Sequence, residues 1–284
     1  MDMRILAPEE FPAALREIPQ PPEQLWMMGQ FPPPETKLLA VVGSRALSAY
    51  GREAATNLIS GLSGYPVSIV SGLALGTDGV AHKAALQAGL HTIAVPGSGL
   101  SERAIYPRAN AALAKEILTA GGALLSEHDA EYRPQAYDFP SRNRIMVGLS
   151  HAVLIIEAGE KSGTLITARL AHEYNRDLLC VPHRIGDPHG FGAHMYLRLG
   201  AGLVTESAHI LEALGIEKKK EPTKPIVSLT GAEGTVYDIL YEPLPRDEVL
   251  RRAHLDPSDV LSALVTLELK GILKEEFGSW RRMV

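Results

Sequence analysis

The chain has 284 residues, of which 45% are hydrophobic and 21% are charged, and its formal net charge at pH 7 is −5. This length and composition are typical of a soluble protein that buries a large core, while the single cysteine excludes an internal disulfide framework and a thiolate zinc cluster. The negative charge excludes nucleic-acid binding by bulk attraction, so any such binding requires a local basic patch.

The N-terminal segment, residues 1–37, contains eight prolines, which prevent long helices and predict an extended lead-in that lies on the body of the protein. It lacks the basic region and the long apolar core of a secretory signal. Nowhere does the sequence contain the run of about eighteen apolar residues that a membrane-spanning helix needs. These features predict a cytoplasmic protein with no membrane partner.

From residue 38 onward, short apolar runs alternate with amphipathic stretches of helical length. The runs occupy residues 38–42, 67–70, 92–95, 152–156 and 178–181. Each run can be buried on both faces, and every parallel crossover needs a helix, so the pattern predicts a doubly wound α/β domain over residues 38–215. Its predicted helices cover residues 47–62, 76–88, 108–120, 141–149, 164–174 and 206–214.

The segment 216–225 is rich in charge and broken by prolines, which is typical of a linker between domains. Beyond it, the pattern predicts three helices and then a short hairpin. The predicted helices cover residues 230–241, 245–253 and 256–270, and the hairpin strands cover 271–277 and 280–284. This plan predicts a winged-helix domain over residues 226–284.

Winged-helix domains are a variant of helix-turn-helix, so one hypothesis makes residues 226–284 a reader of duplex DNA. The segment carries seven basic and ten acidic side chains. Contact with phosphates requires an excess of basic side chains. The excess of acidic side chains therefore favours contact with a protein over contact with DNA.

Residue types that bind phosphate or stack on bases occur near the expected carboxyl ends of two strands. They are Gly43, Ser44, Arg45, Phe139, Arg142, Asn143, Arg144, Lys161, Ser162, Gly163 and Thr164. Ligands bind at such ends in open α/β sheets, and several phosphate-binding groups on different strands favour a polymer backbone over one small ligand. Each motif alone also fits an ordinary turn, helix cap or hydrophobic staple.

An alternative hypothesis is a nucleotide-processing enzyme on the same fold. Asp78 and His82 stand one helical turn apart and can act as an acid/base pair. A helix cap beside a partly exposed histidine is the favoured interpretation, because neither a nucleophile nor a set of metal ligands accompanies the pair. Glu102, in a glycine-rich turn, is the other candidate centre of such an enzyme.

We expect neither a cofactor nor a metal ion. The Gly-x-Gly-x-x-Gly fingerprint of dinucleotide sites is absent after the first strand, and so is the Gly-Lys-Ser/Thr sequence of a P-loop. His183, His189 and His194 fall in a loop-like stretch without the fixed spacing of a metal site.

Across residues 38–214, a series of segments resembles the DNA-processing protein A (DprA/Smf) family. The segments are Gly43-Ser-Arg45, Ser71-Gly-Leu-Ala74, Gly76-Thr-Asp78, Tyr106-Pro107 with Asn110, Ser126-Glu127, Phe139-Pro-Ser-Arg-Asn-Arg-Ile145, Gly148-Leu-Ser150, Glu157-Ala158 and Ser162-Gly-Thr-Leu-Ile-Thr-Ala168. The resemblance implies a Rossmann-like core, without catalysis, that binds single-stranded DNA and forms a homodimer. It further implies protection of DNA taken up in natural transformation and loading of the RecA recombinase onto that DNA.

The resemblance also implies roles for particular residues. The family's basic pocket corresponds to Arg45, residues 142–144 and residues 161–164, and the winged helix looks like the accessory domain of many members. Family dimers use the late part of the core, which here includes Met195, Leu197 and Leu199. The chain departs from the family pattern at His183 and over residues 192–197, which lie in or near that expected interface.

Overall fold

The computed structural model describes residues 3–218, 229, 231–276 and 278–283. It divides the chain into two compact units, Met1–Lys218 and Lys219–Val284. Of the predicted linker, residues 219–225 lie outside the described residues. No helix in the described ranges is long and apolar enough to cross a membrane.

The larger unit is an α/β structure whose elements follow the predicted alternation. The helices are α1 Ala13–Arg16, α2 Ala49–Ser60, α3 Thr77–Gln87, α4 Ala111–Thr119, α5 Asp138–Leu149, α6 Thr164–Glu173, α7 Phe191–Arg198 and α8 Ser207–Ala213. The strands are β1 Arg4–Leu6, β2 Leu25–Gly29, β3 Lys37–Val42, β4 Val67–Ser71, β5 His91–Ala94, β6 Ala123–Ser126, β7 Ala152–Ile155, β8 Asp177–Cys180 and β9 Gly202–Leu203. Short 3-10 turns cover Pro8–Glu10, Arg108–Asn110 and Pro188–Gly190.

The described strands of this unit form one sheet in the order β1-β2-β6-β5-β4-β3-β7-β8-β9. Strands β3 to β9 are parallel, and β1 and β2 pair antiparallel at one edge. The predicted doubly wound, mostly parallel sheet is therefore confirmed. Because the chain runs from β3 toward one edge and from β7 toward the other, the neighbouring strands β3 and β7 mark the point where the strand order reverses.

Two cores lie on opposite faces of the sheet, because successive side chains of a strand point to opposite sides. In β3, Leu38 and Ala40 pack in the core beneath α1, α5, α6 and α7. Leu39 and Val41 pack in the other core, beneath α2, α3 and α8. Burial on both faces explains why β3 and its parallel neighbours are continuous apolar runs rather than alternating ones.

Some elements were not expected from the sequence. The N-terminal lead-in contributes β1 and β2 to the sheet, and Leu25 and Met27 of β2 are fully buried. The loop expected around the late histidines contains α7, which begins where the Gly192 backbone N–H donates to the Ala158 carbonyl at 2.7 Å. Its position is set by contact with a segment distant in sequence, which local patterns do not report.

One buried histidine predicts how the stability of this unit depends on pH. His82 of α3 is fully buried, with Nδ1 2.8 Å from the Thr92 hydroxyl. Burial lowers the pKa of His82 from 6.5 to about 3, because the interior disfavours the charged imidazolium. Below pH 6.5 the unfolded chain therefore binds a proton that the folded chain rejects, so stability falls as the pH drops toward 3.

We expect this histidine to remove about 2 kcal/mol of unfolding free energy between pH 7 and pH 5. Urea unfolding at both pH values measures the loss. The variant His82→Asn keeps a polar atom near Thr92 but does not titrate. Between pH 7 and pH 5 its unfolding should therefore take up nearly one proton fewer than that of wild type, and its unfolding free energy should fall less. An unchanged pH dependence in that variant contradicts the prediction.

The smaller unit is a winged helix, as predicted. Its helices are α9 Ala232–Ile239, α10 Arg246–Ala253 and α11 Pro257–Leu269, and its strands are β10 Leu244–Pro245, β11 Leu273–Glu276 and β12 Ser279–Arg282. The strands pair antiparallel in the order β10-β12-β11. Asp256 caps α11 by accepting the Ser258 N–H at 2.9 Å, and Trp280 lies in the unit's own core.

Candidate nucleic-acid interface

A cavity of about 760 Å³ opens at the carboxyl ends of β3 and β7, where the strand order of the sheet reverses. It is lined by all but one of the residues predicted to bind phosphate or bases. These are Gly43, Ser44, Arg45, Phe139, Arg142, Asn143, Lys161, Ser162, Gly163 and Thr164. We call this cavity, with these lining residues, the switch-point cavity. The fold therefore brings together segments about 120 positions apart in the sequence, as expected for ligand sites of open α/β sheets.

The loop after β3 is held rigidly by the start of α3. The Ser44 carbonyl accepts hydrogen bonds from the Thr77 N–H and from the Thr77 hydroxyl, both at 3.1 Å. A Cβ at Gly43 would lie 2.4 Å from the Thr77 hydroxyl, and one at Gly76, where φ is +74°, would lie 2.3 Å from the Ser44 carbonyl. Glycine is therefore required at both positions, and the exposed Arg45 projects from a fixed loop.

An aromatic ring lies beside that arginine. The Arg45 guanidinium carbon is 5.0 Å from the centroid of the Phe139 ring, within the range of a cation–π contact. The centroid of the Tyr106 ring lies 5.8 Å from that of the Phe139 ring. A phosphate-binding cation next to an aromatic ring is the combination that proteins use to bind single strands, because the cation holds the backbone while the ring stacks on a base.

The start of α6 forms the opposite wall of the switch-point cavity. The Ser162 hydroxyl accepts the Thr164 N–H at 3.2 Å and donates to the Thr164 hydroxyl at 3.0 Å. Lys161 is exposed beside this turn. A helix N-terminus carries a partial positive charge, so the chemistry of this part of the cavity suits an anion.

Arg142 lies at the floor of the cavity and not at its rim, since only 6% of it is exposed. Its Nη1 donates to the Gly72 carbonyl at 2.6 Å and to the Val95 carbonyl, which follow β4 and β5. Its Nε donates to the Asn143 side chain at 3.2 Å. Burial lowers the pKa of Arg142 to about 10, while attraction to Asp78 favours its charged form. The guanidinium therefore ties α5 to two strand ends and stays charged at neutral pH.

The carboxylate of Asp78 belongs to the same buried floor. It accepts the backbone N–H groups of Gly72 and Ala74 at 3.1 and 3.2 Å. Burial raises the pKa of Asp78, against the opposing attraction of Arg142 and the hydrogen bonds that it accepts. His82, one turn later, is fully buried, so the two side chains do not form an open acid/base pair. Glu102, the other candidate, pairs with Lys115 at 2.7 Å on the surface.

Arg144 is the predicted DNA-binding residue that does not line the switch-point cavity. Side chains two positions apart on a helix point to nearly opposite sides, so Arg142 and Arg144 cannot both face the cavity. The Arg144 Nη2 instead donates to the Glu127 carboxylate in a half-buried ion pair. The two arginines of α5 thus differ in their contacts: Arg142 is buried against two strand ends, and Arg144 forms an ion pair.

The sequence did not assign the turn after β8 to this site. Pro188 and His189 line the switch-point cavity, and His189 Nδ1 lies 3.2 Å from Glu157 Oε2. His194 Nε2 lies 3.0 Å from the His183 carbonyl, and the described part of the chain holds no group of three potential metal ligands. β8 lies next to β7, so the carboxyl ends of these two strands meet at the same edge of the sheet. The adjacency of the two strands was the signal that could have assigned this turn to the site.

The model of the family described as DNA recombination-mediator protein A matches residues 2–215, and that of the DprA winged helix domain matches residues 220–277. The chain belongs to the DNA recombination-mediator protein A family. It is 39% identical over 284 residues to Protein Smf of Escherichia coli strain K12, covering 97% of this chain and 75% of that protein.

Two solved structures of the family show the same fold. The chain matches an X-ray structure of DNA processing protein A (DprA) from Streptococcus pneumoniae with a TM-score of 0.69 and 37% identity, over 76% of this chain and 75% of that one. It matches DNA processing protein A from Helicobacter pylori, described for its unique single-stranded DNA binding mode, with a TM-score of 0.65 and 30% identity. That match covers 75% of this chain and 95% of the Helicobacter chain.

Proposed function

We propose that this recombination mediator binds single-stranded DNA in the switch-point cavity. The observation that carries the proposal is the convergence of Arg45, Lys161 and the start of α6 beside the Phe139 ring. Cations and the positive end of a helix attract phosphates without reading sequence, and the ring stacks on any base, so we expect little sequence preference. The single-stranded DNA binding described for the Helicobacter pylori relative supports the same assignment.

Fluorescence anisotropy with labelled single-stranded and duplex oligonucleotides, across a salt series, tests the proposal. We expect selective binding to the single strand, because a duplex hides its base faces from Phe139. The affinity should fall as salt rises, since each phosphate contact releases counterions. Equal affinity for the duplex, or no binding to either form, contradicts the proposal.

The finer role that we propose is the loading of RecA onto single-stranded DNA taken up in natural transformation, in the cytoplasm, with protection of that DNA from nucleases. Membership of a family of recombination mediators supports this role. It requires binding and no catalytic step. The test is RecA assembly on strands already coated by a single-strand-binding protein, which should be faster with this protein and remain slow with a variant that does not bind DNA.

A homodimer through the β9 edge of the sheet is the second part of the proposal. β9 ends the sheet, its Leu203 is 52% exposed, and the nearby Leu199 is 74% exposed. Met195 and Leu197 of α7, the other predicted interface residues, are partly buried. A twofold dimer would cover these side chains and place two cavities on one strand, which raises avidity without new contacts.

Replacing Leu199 with glutamate should convert the dimer to a monomer, because it would bury an unpaired charge in the interface. Sedimentation velocity measures the mass, and binding to a long oligonucleotide should weaken by roughly tenfold or more as avidity is lost. The matched control is Ile5→Glu, which places the same charge on the opposite edge strand, β1. A monomeric wild type, or a dimer lost only in the Ile5 variant, contradicts the assignment.

A further inference from the structure

Glu157 is a fully buried carboxylate beside a cavity that attracts anions. Its Oε2 accepts the Ser48 N–H at 3.2 Å, its Oε1 accepts the Ser48 hydroxyl, and Oε2 also lies 3.2 Å from His189 Nδ1. A buried carboxylate is costly unless it is hydrogen-bonded and its charge is balanced. Of these partners, only the histidine can carry a compensating positive charge.

The backbone of His189 is held by two hydrogen bonds. Its backbone N–H donates to Asp187 Oδ1 at 2.9 Å, and its carbonyl accepts the Ala158 N–H at 2.9 Å. The side chain is 37% exposed and lines the switch-point cavity. Because Nδ1 faces Glu157, the other ring nitrogen, Nε2, is the one available to a ligand in the cavity.

The charge on this imidazole decides what it can do for a phosphate. A neutral ring that donates from Nδ1 to Glu157 has an unprotonated Nε2, which accepts hydrogen bonds and cannot donate one to a phosphate oxygen. A protonated ring donates from both nitrogens and offsets the negative charge of Glu157 near the bound anion. Only the protonated form therefore serves the carboxylate and the phosphate together.

We propose that His189 is a further phosphate contact of the switch-point cavity, and that binding of single-stranded DNA is coupled to uptake of one proton at its Nε2. The inference rests on the proposed single-stranded DNA binding and deepens it. It assigns to His189 a role that no part of the sequence pattern indicated.

Charged and titratable groups surround His189 on every neighbouring element. They are Arg45 after β3, Tyr50 of α2, Glu157 and Lys161 after β7, Asp187 and His183 in the turn after β8, and His194 of α7. A bound phosphate adds further negative charge, so the proton should be taken up when DNA binds.

The experiment measures single-stranded DNA affinity at pH 6 and pH 8, each over a salt series, for wild type, His189→Gln and the control His209→Gln on α8. Wild type and the control should bind about 5- to 10-fold tighter at pH 6 than at pH 8, which is within the limit of about 100-fold that uptake of one proton sets over two pH units. The salt slope is the slope of the logarithm of the binding constant against the logarithm of the salt concentration. At pH 6 its magnitude for His189→Gln should be smaller than that of wild type by about 0.7, the contribution of one phosphate contact on a single strand. At pH 8 the variant should match wild type.

The outcomes separate this inference from the proposed function. Wild type that fails to bind DNA at both pH values overturns both. Binding with the same pH difference and salt slope in His189→Gln overturns only the phosphate contact. A variant weakened equally at both pH values shows a structural role and also overturns it. Imidazole nitrogen NMR gives a second readout, in which adding DNA should raise the protonated fraction of His189 Nε2.

Discussion

Replacing Arg45 with glutamate should weaken binding of single-stranded DNA by about 100-fold, the loss expected when a charged hydrogen bond to phosphate becomes a repulsion. Arg45 is exposed on the rigid loop after β3, and its guanidinium lies 5.0 Å from the Phe139 ring. The change removes the cation and leaves the ring. The salt slope should also decrease by about 0.7, because one phosphate contact is lost. Anisotropy titrations over a salt series measure both quantities.

The matched control for this variant is Arg52→Glu. Arg52 is exposed on α2, close to Arg45 in sequence, but it does not line the switch-point cavity. Both variants change the net charge of the protein by the same amount, so any effect of bulk electrostatics appears equally in both. A similar loss of affinity in the two variants would show that the cavity does not hold the DNA.

Replacing Arg142 with methionine should lower the unfolding free energy of the larger unit by about 3 to 5 kcal/mol, the cost of removing one partner from a buried charged network. The variant leaves the Gly72 and Val95 carbonyls without their donor, and it leaves the buried Asp78 carboxylate without a nearby cation. Urea unfolding followed by Trp26 fluorescence in a Trp280→Phe background measures this unit, since Trp280 lies in the winged helix.

Arg169→Met is the control, because this arginine is exposed on α6 and its ion pair with Glu173, at 3.5 Å, is worth little at the surface. The same titration decides between two roles for Arg142. If the variant keeps wild-type stability and loses only DNA affinity, Arg142 is a direct phosphate contact, as the sequence alone suggested. If stability falls, it is the tether that its buried position indicates.

The sequence was sufficient for the fold class and for most of the candidate site. Continuous apolar runs such as residues 38–42 predicted a parallel sheet, because only a strand buried on both faces lacks polar alternation. The helix predicted over residues 256–270 is α11, and its start could be predicted because Asp256 caps it through a local interaction. Residue types alone marked Arg45 and Lys161 as candidate phosphate ligands, and the family resemblance implied that the ligand is DNA.

Other features depended on contacts between distant segments. The short β6 pairs with β5 and β2, the early β2 pairs with β6 and β1, and α7 contacts the segment after β7. None of these contacts leaves a periodic signal in its own segment. The N-terminal segment, which was expected to be an extended lead-in on the body of the protein, therefore contributes β1 and β2 to the sheet.

The sequence by itself determined which residue types can bind a phosphate, since that property belongs to each side chain. Only the tertiary structure decided which of them share a site. Arg142 points inward and Arg144 points toward Glu127, because side chains two positions apart on a helix point to nearly opposite sides. The tertiary structure also brought His189 to the cavity through the adjacency of β7 and β8. Strand order is set by the packing of the whole sheet, which no local segment of the chain encodes.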